Sequence, residues 1–144
     1  MNNPYTIVEP EPEVQWGPMR VKPKNGTVYN YVANTGHVRG MHWNGCSFDL
    51  DRFQIGNIFA TQATAMHEVE RRKVIHELWC QPGARGWYKN QLNCALTFEA
   101  DEWSAAEFHT WHANFSMPYF NTPAEVLNAI NTIGIERLSL PLKG

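Results

Sequence analysis

A chain of 144 residues with 43% hydrophobic and only 18% charged residues, including six Trp, seven Phe and five Tyr, has the size of one domain with a genuine core, and this composition excludes disorder over most of its length. Twelve basic against fourteen acidic residues leave a formal net charge of −2, which excludes a chain-wide basic field of the kind that draws a protein onto nucleic acid. The charge is unevenly spread: residues 1–65 hold five acids and five bases, 66–90 three and five, and 91–144 six and two. Cys46, Cys80 and Cys94 are odd in number and irregularly spaced, no apolar signal segment opens the chain, and no apolar run is long enough to span a bilayer. A protein of a reducing cytoplasm, without a membrane partner, is expected.

Residues 1–26 hold five prolines and the acidic Glu9, Glu11 and Glu13, the composition of an extended, Pro-rich acidic arm. Trp16 either pins that arm to the body or belongs to a partner surface. From Thr27 two β-rich runs flank Asn34-Thr35-Gly36, a hairpin signal because Asn and Gly accept the positive φ of tight turns. A second turn falls at Asn44-Gly45. Residues 47–59 read as a lead-in to Thr61, which caps a helix from Gln62 to about Cys80, where Pro82-Gly83 stops it. Residues 81–90 form a linker or long loop. In the second half, 91–98 reads as a strand, 99–104 as a turn and 105–115 as a strand. A second helix follows, with Thr122 as cap, Pro123 at the favoured first position and Gly134 as terminator.

The two helix openings overlay with a shift of 61 residues, Phe59, Thr61 and Ala63 falling on Phe120, Thr122 and Ala124, and Ala65, Met66 and Val69 on Val126, Leu127 and Ile130. The expected fold is therefore α+β, a single domain (27–144) of two ββα units, about 27–81 and 90–138, with helices packed on one side of an antiparallel sheet. The copies diverge at the next position, Ile133 in the second helix and Arg72 in the first. Residues 65, 69, 72, 76 and 79 share one helix face, so Arg72 and His76 interrupt a stripe that should be apolar. Either Arg72 lies at its edge and snorkels to water, or Arg71, Arg72, Lys73 and His76 form a binding face. An uncovered face of this kind would also permit a homodimer.

Ile55, Gly56, Asn57, Phe59, Thr61, Ala65, Glu70, Arg71, Lys73, Glu77 and Leu78, followed by Pro118, Tyr119 and Phe120, make a pattern that resembles a loose group of small phage- and prophage-encoded proteins. The resemblance covers roughly residues 27–138. Arg72 and His76 depart from it, standing where aliphatic residues are usual. It implies the fold above and a bacterial host cytoplasm, and it implies a role against host defence systems, anti-CRISPR-like, as an expectation about setting.

The residues themselves offer no catalytic signature. His37, His42 and Cys46 lack the spacing of the familiar zinc modules, and on the strand expected at 105–115 His109 and His112 point to opposite faces. Asp49 and Asp51 read as surface charges flanking a strand, with a divalent ion or pairing to Arg52 and Arg39 as alternatives. No Gly-rich phosphate loop opens a helix. No enzyme activity, cofactor or metal is expected.

Binding is the stronger reading. Arg71, Arg72, Lys73, His76, Arg85 and Trp87 supply cations and aromatics, and Glu99, Asp101, Glu102 and Trp103 an acidic group, which together suit a protein interface where Trp, Tyr and Arg dominate. The acidic group could occupy a basic groove of a host protein by mimicry, or be simply solvated. The expectation is a non-enzymatic accessory protein that binds and inhibits a host protein. Direct nucleic-acid binding through Arg71, Arg72, Lys73, Arg85 and Lys89 with Trp79, Trp87 and Tyr88 is the alternative, and a virion or assembly component is a third reading.

Overall fold

The structure is a computed structural model that describes residues 16–108 and 117–143. Its elements run β1 (Val28–Val32), β2 (Val38–His42), α1 (Ser47–Gln54), α2 (Gln62–Trp79), β3 (Asn93–Glu99), β4 (Glu102–Phe108), α3 (Pro123–Ile133) and α4 (Ile135–Lys143). The fold is mixed α+β, with helices packed against two antiparallel hairpins, β1–β2 and β3–β4, each its own two-stranded sheet. No described helix is long and apolar enough to cross a membrane.

Both hairpins turn through residues at positive φ. In the first, Gly36 takes φ +82° and its amide donates to the Ala33 carbonyl. In the second, Ala100 and Asp101 hold φ +51° and +62°, a two-residue turn that matches the twist of the strands. That turn is tighter than the segment 99–104 expected from sequence: Glu102 already pairs with Glu99, so Trp103 and Ser104 belong to β4. The remainder of the expected strand, with His109, Trp111 and His112, lies outside the described residues.

The two units share one device. Phe59 exchanges both backbone hydrogen bonds with Asn30 of β1, and Phe120 does the same with Cys94 of β3, each extending its hairpin by one bridge. Two residues later, Thr61 and Thr122 cap α2 and α3. Thr61 Oγ1 accepts from the Thr64 amide at 3.1 Å and Thr122 Oγ1 from the Glu125 amide at 3.2 Å, while Thr64 and Glu125 return a bond to the cap backbone. Phe59 and Phe120 are both fully buried, each contributing about 1.5–3 kcal/mol of apolar burial. Ala65 and Val126 also turn inward, whereas Met66 and Leu127 face solvent, so the inward part of the overlay is narrower than the sequence match.

Two helices are additional to the sequence reading. α1 forms where a lead-in was expected, and its Asp49 is buried rather than a surface charge. β1 explains the burial. Its Tyr29 and Tyr31 face one side, packing with Trp43, Ile58 and Phe53 of α1, and its Val32 faces the other, packing with Phe59, Ala65 and Val69. The larger cluster lies in the second unit, where Cys94, Leu96, Phe120, Val126, Ala129, Ile130 and Ile133 meet Val74 and Leu78 of α2 and Leu138 of α4. Gly134, at φ +95°, ends α3 as expected, but the chain re-enters helix at once, and α4 buries Leu138.

α2 thus serves two clusters with two faces. Ala65 and Val69 meet the first hairpin, and Val74 and Leu78 meet the second unit. The nine residues from Ala65 to Val74 amount to about two and a half turns, which sets the two contacts on opposite sides of the helix.

Candidate functional site

That change of face locates Arg72 and His76. They continue the Ala65–Val69 side of α2 beyond the end of the first hairpin, while the helix's apolar contacts have moved to the opposite side, so both side chains are exposed. The interrupted stripe is one face covered over its first half only.

The cations on this surface are held in register by acids on the same helix. Glu68 accepts from Arg72 Nε at 3.0 Å and lies 3.4 Å from Arg71 Nε, and Glu70 accepts from Lys73 Nζ at 3.1 Å. His76 Nε2 meets Cys80 Sγ at 3.6 Å one turn further on. Towards the start of the helix the segment from Trp16 crosses it, the Trp16 ring stacking on His67 at 4.3 Å between centroids, and the Met19 amide donating to the Ile58 carbonyl at 2.7 Å. Trp16 is therefore in contact with the body while remaining half open to solvent. A groove of about 380 Å³ runs between them, lined by Trp16, Pro18, Ile55, His67, Arg71 and Arg72 among others.

Glu99, Asp101 and Glu102 cluster at the exposed tip of the β3–β4 hairpin, on a different element from the cations. Trp103 is half-buried beside them: it packs on the second cluster, tilts against Phe98 at 5.2 Å, and donates from Nε1 to Ser139 Oγ of α4 at 3.1 Å.

Arg85 is committed to the fold. Its Nε donates to Asn121 Oδ1 (2.7 Å), Nη1 to Asn93 Oδ1 (2.7 Å) and the Gly86 carbonyl (2.9 Å), and Nη2 to the Leu92 (3.0 Å) and Phe120 (3.4 Å) carbonyls. A guanidinium has five N–H donors, and these bonds use all of them. The fully buried Asn93 completes the arrangement by donating to the Tyr88 and Gln91 carbonyls, so Arg85 and Asn93 organise the loop from 81 to 92. Trp87 is half-buried, with its ring edge-on to Tyr119 at 5.3 Å.

A second polar group went unseen in the sequence. Tyr29 donates its hydroxyl to Asp49, which also accepts from the amides of Asn44 (2.9 Å) and Gly45 (3.1 Å), while Arg52 Nη1 donates to the Tyr29 oxygen at 2.8 Å and stacks on Tyr31 at 3.8 Å. Burial pushes the Tyr29 hydroxyl up to about 12, with the adjoining Asp49 adding to the effect. Burial would raise Asp49 too, but the hydrogen bonds from Tyr29 and the backbone outweigh it and hold the carboxyl below the ordinary value of 3.8. The one available signal was the pairing of Asp49 with Arg52 at helical spacing.

Among the described residues no three His, Cys, Asp or Glu side chains converge as a metal site. His42 instead lies with Nδ1 3.3 Å from the Gly26 carbonyl, and Cys46 precedes α1 as its cap residue. No family model, curated protein or solved structure matches this chain.

Proposed function

We propose that this chain is a non-catalytic binding protein, a phage or prophage accessory protein that inhibits a host protein of an antiviral defence system by occupying it with the exposed face of α2. The observation that carries the reading is the half-covered helix face: Arg72 and His76 extend the line of Ala65 and Val69 past the edge of the first hairpin, beside a groove framed by Trp16. Exposed Arg on a capped helix, with Trp16 beside it, supplies the residue types that dominate protein interfaces. The ion pairs favour a protein over nucleic acid as the partner. Glu68 and Glu70 lie against Arg71, Arg72 and Lys73, which removes much of the positive field that phosphate binding needs. The resemblance to phage proteins supplies the class of partner to test first.

The test is an affinity capture from bacterial lysate with and without nuclease treatment, comparing the intact chain with one carrying Arg72→Glu and Lys73→Glu, after circular dichroism has shown the two to be equally folded. A defined protein retained by the first and lost by the second is expected. Recovery that depends on nucleic acid, or a partner indifferent to the substitutions, would overturn the reading.

A further inference from the structure

The C-terminal end of α2 holds two metal-binding side chains side by side on its surface. His76 and Cys80 are one helical turn apart, both exposed, with the imidazole Nε2 3.6 Å from the thiol sulfur. That separation has a chemical meaning. A tetrahedral zinc ion bound at about 2.0–2.1 Å by nitrogen and about 2.3 Å by sulfur requires the two donor atoms to stand about 3.6 Å apart. The separation of the pair, which a hydrogen bond spans in the free chain, is that of two donors on one zinc ion.

The surroundings favour a cation there. The last carbonyls of an 18-residue helix concentrate partial negative charge at this end, which stabilises a nearby dication. The donors are a soft sulfur and an imidazole, the combination that selects zinc or cobalt over magnesium or calcium. Neither donor is committed elsewhere in the core: Cys80 lies at the helix cap and His76 on the solvent side, so both are open to an ion from solution. Cys94, by contrast, is wholly buried, and Cys46 lies beyond the far end of α2 in the chain.

We propose that His76 and Cys80 chelate a thiophilic divalent cation, Zn²⁺ in the first instance, and that a second copy of the chain completes the site. Zinc in a stable protein site takes four ligands, and among the described residues this end of α2 presents two. A two-fold axis through the ion brings the same pair from the second copy and yields a His₂Cys₂ set whose two thiolates balance the charge of the ion. On binding, each thiol loses its proton to solvent and each sulfur donates a lone pair to the metal, with no change in oxidation state. The site is argued from its donors and not from the host-partner reading, and the pairing would use the same uncovered half of α2 that the reading gives to a host protein.

Cobalt(II) is the probe, because thiolate ligation gives it an intense near-ultraviolet charge-transfer band and tetrahedral geometry gives it visible bands. The full chain, reduced with a non-thiol reductant, is titrated with Co²⁺ and then Zn²⁺, and its mass is followed by light scattering. Expected are the charge-transfer band saturating at one ion per two chains, a doubled mass, loss of both on adding EDTA, and displacement of the cobalt spectrum by Zn²⁺. Cys80→Ser should abolish the band and His76→Ala should abolish the tetrahedral spectrum, whereas Cys46→Ser should retain both. Absence of a thiolate band, a band that survives Cys80→Ser, or saturation at one ion per chain with unchanged mass would each overturn the proposal. A doubled mass that persists in EDTA and falls only on stronger reduction would identify a disulfide instead, and would equally overturn it. Neither readout involves a host protein, so failure here leaves the lysate experiment's outcome separate.

Discussion

The Tyr29–Asp49 contact admits a quantitative test. Asp49 accepts from one buried hydroxyl and two backbone amides, and Asp49→Ala removes all three bonds. Asn44 and Gly45 lie at the surface, where water replaces the lost acceptor at small cost. Tyr29 is fully buried, and its hydroxyl proton is left without its carboxylate, a loss of about 1–3 kcal/mol. With the two charge-assisted amide bonds included, Asp49→Ala is expected to cost about 3 kcal/mol. Tyr29→Phe leaves Asp49 its two amides and should cost about 2 kcal/mol, and the double variant should fall short of the sum by about 1–2 kcal/mol because both single changes break the same bond. Urea unfolding monitored by Trp fluorescence measures all three, with unchanged denaturant slopes as the check on two-state behaviour.

The pH dependence gives the sign independently. Tyr29 is raised from 10.0 to about 12 on folding, so its stabilising effect is whole below pH 10 and is lost as the pH rises towards 12, amounting to about 2–3 kcal/mol. Asp49 is lowered below 3.8, so its effect is whole above that pH and is lost as the pH falls through its folded value. Tyr29→Phe should therefore flatten the alkaline limb of the stability profile relative to the unaltered chain. An Asp49→Ala cost below about 1 kcal/mol, or an alkaline limb unchanged by Tyr29→Phe, would refute the reasoning.

Two further outcomes follow from packing. Gly83→Ala should destabilise the chain by about 1–2 kcal/mol in thermal or urea unfolding, since Gly83 holds φ +85° and a Cβ there would collide with the Glu125 carboxylate that completes the α3 capping box. On α2, Leu78→Ala should cost about 2–5 kcal/mol and Arg72→Ala within about 0.5 kcal/mol, because Leu78 is fully enclosed by the second cluster while Arg72 stands outside both; similar costs for the two would contradict the two-faced helix.

What was legible in the sequence was local. The Thr61 and Thr122 caps, the Gly36 turn and the ends of α2 and α3 depend on hydrogen bonds and dihedral preferences within a few residues, and they lie where those preferences put them. α4 was hidden because Gly134 does terminate a helix, and nothing local announces that the next residue begins another. Of the candidate interface residues, Arg71, Arg72, Lys73 and His76 share one exposed stretch of α2, and Glu99, Asp101 and Glu102 share a hairpin tip, groupings that follow from spacing alone.

Tertiary structure decided the rest, since burial depends on what lies beside a residue and not on its neighbours in the chain. Arg85 has the composition of a binding residue, yet partners up to 36 residues distant absorb every donor it has. Asp49 has the composition of a surface charge, yet Tyr29, 20 residues earlier, makes it a buried acceptor. A single helical stripe assumes one neighbour along the whole helix. α2 has two, on opposite sides and at different heights, so the side chains at 72 and 76 are left in solvent by geometry that no periodicity in the chain records.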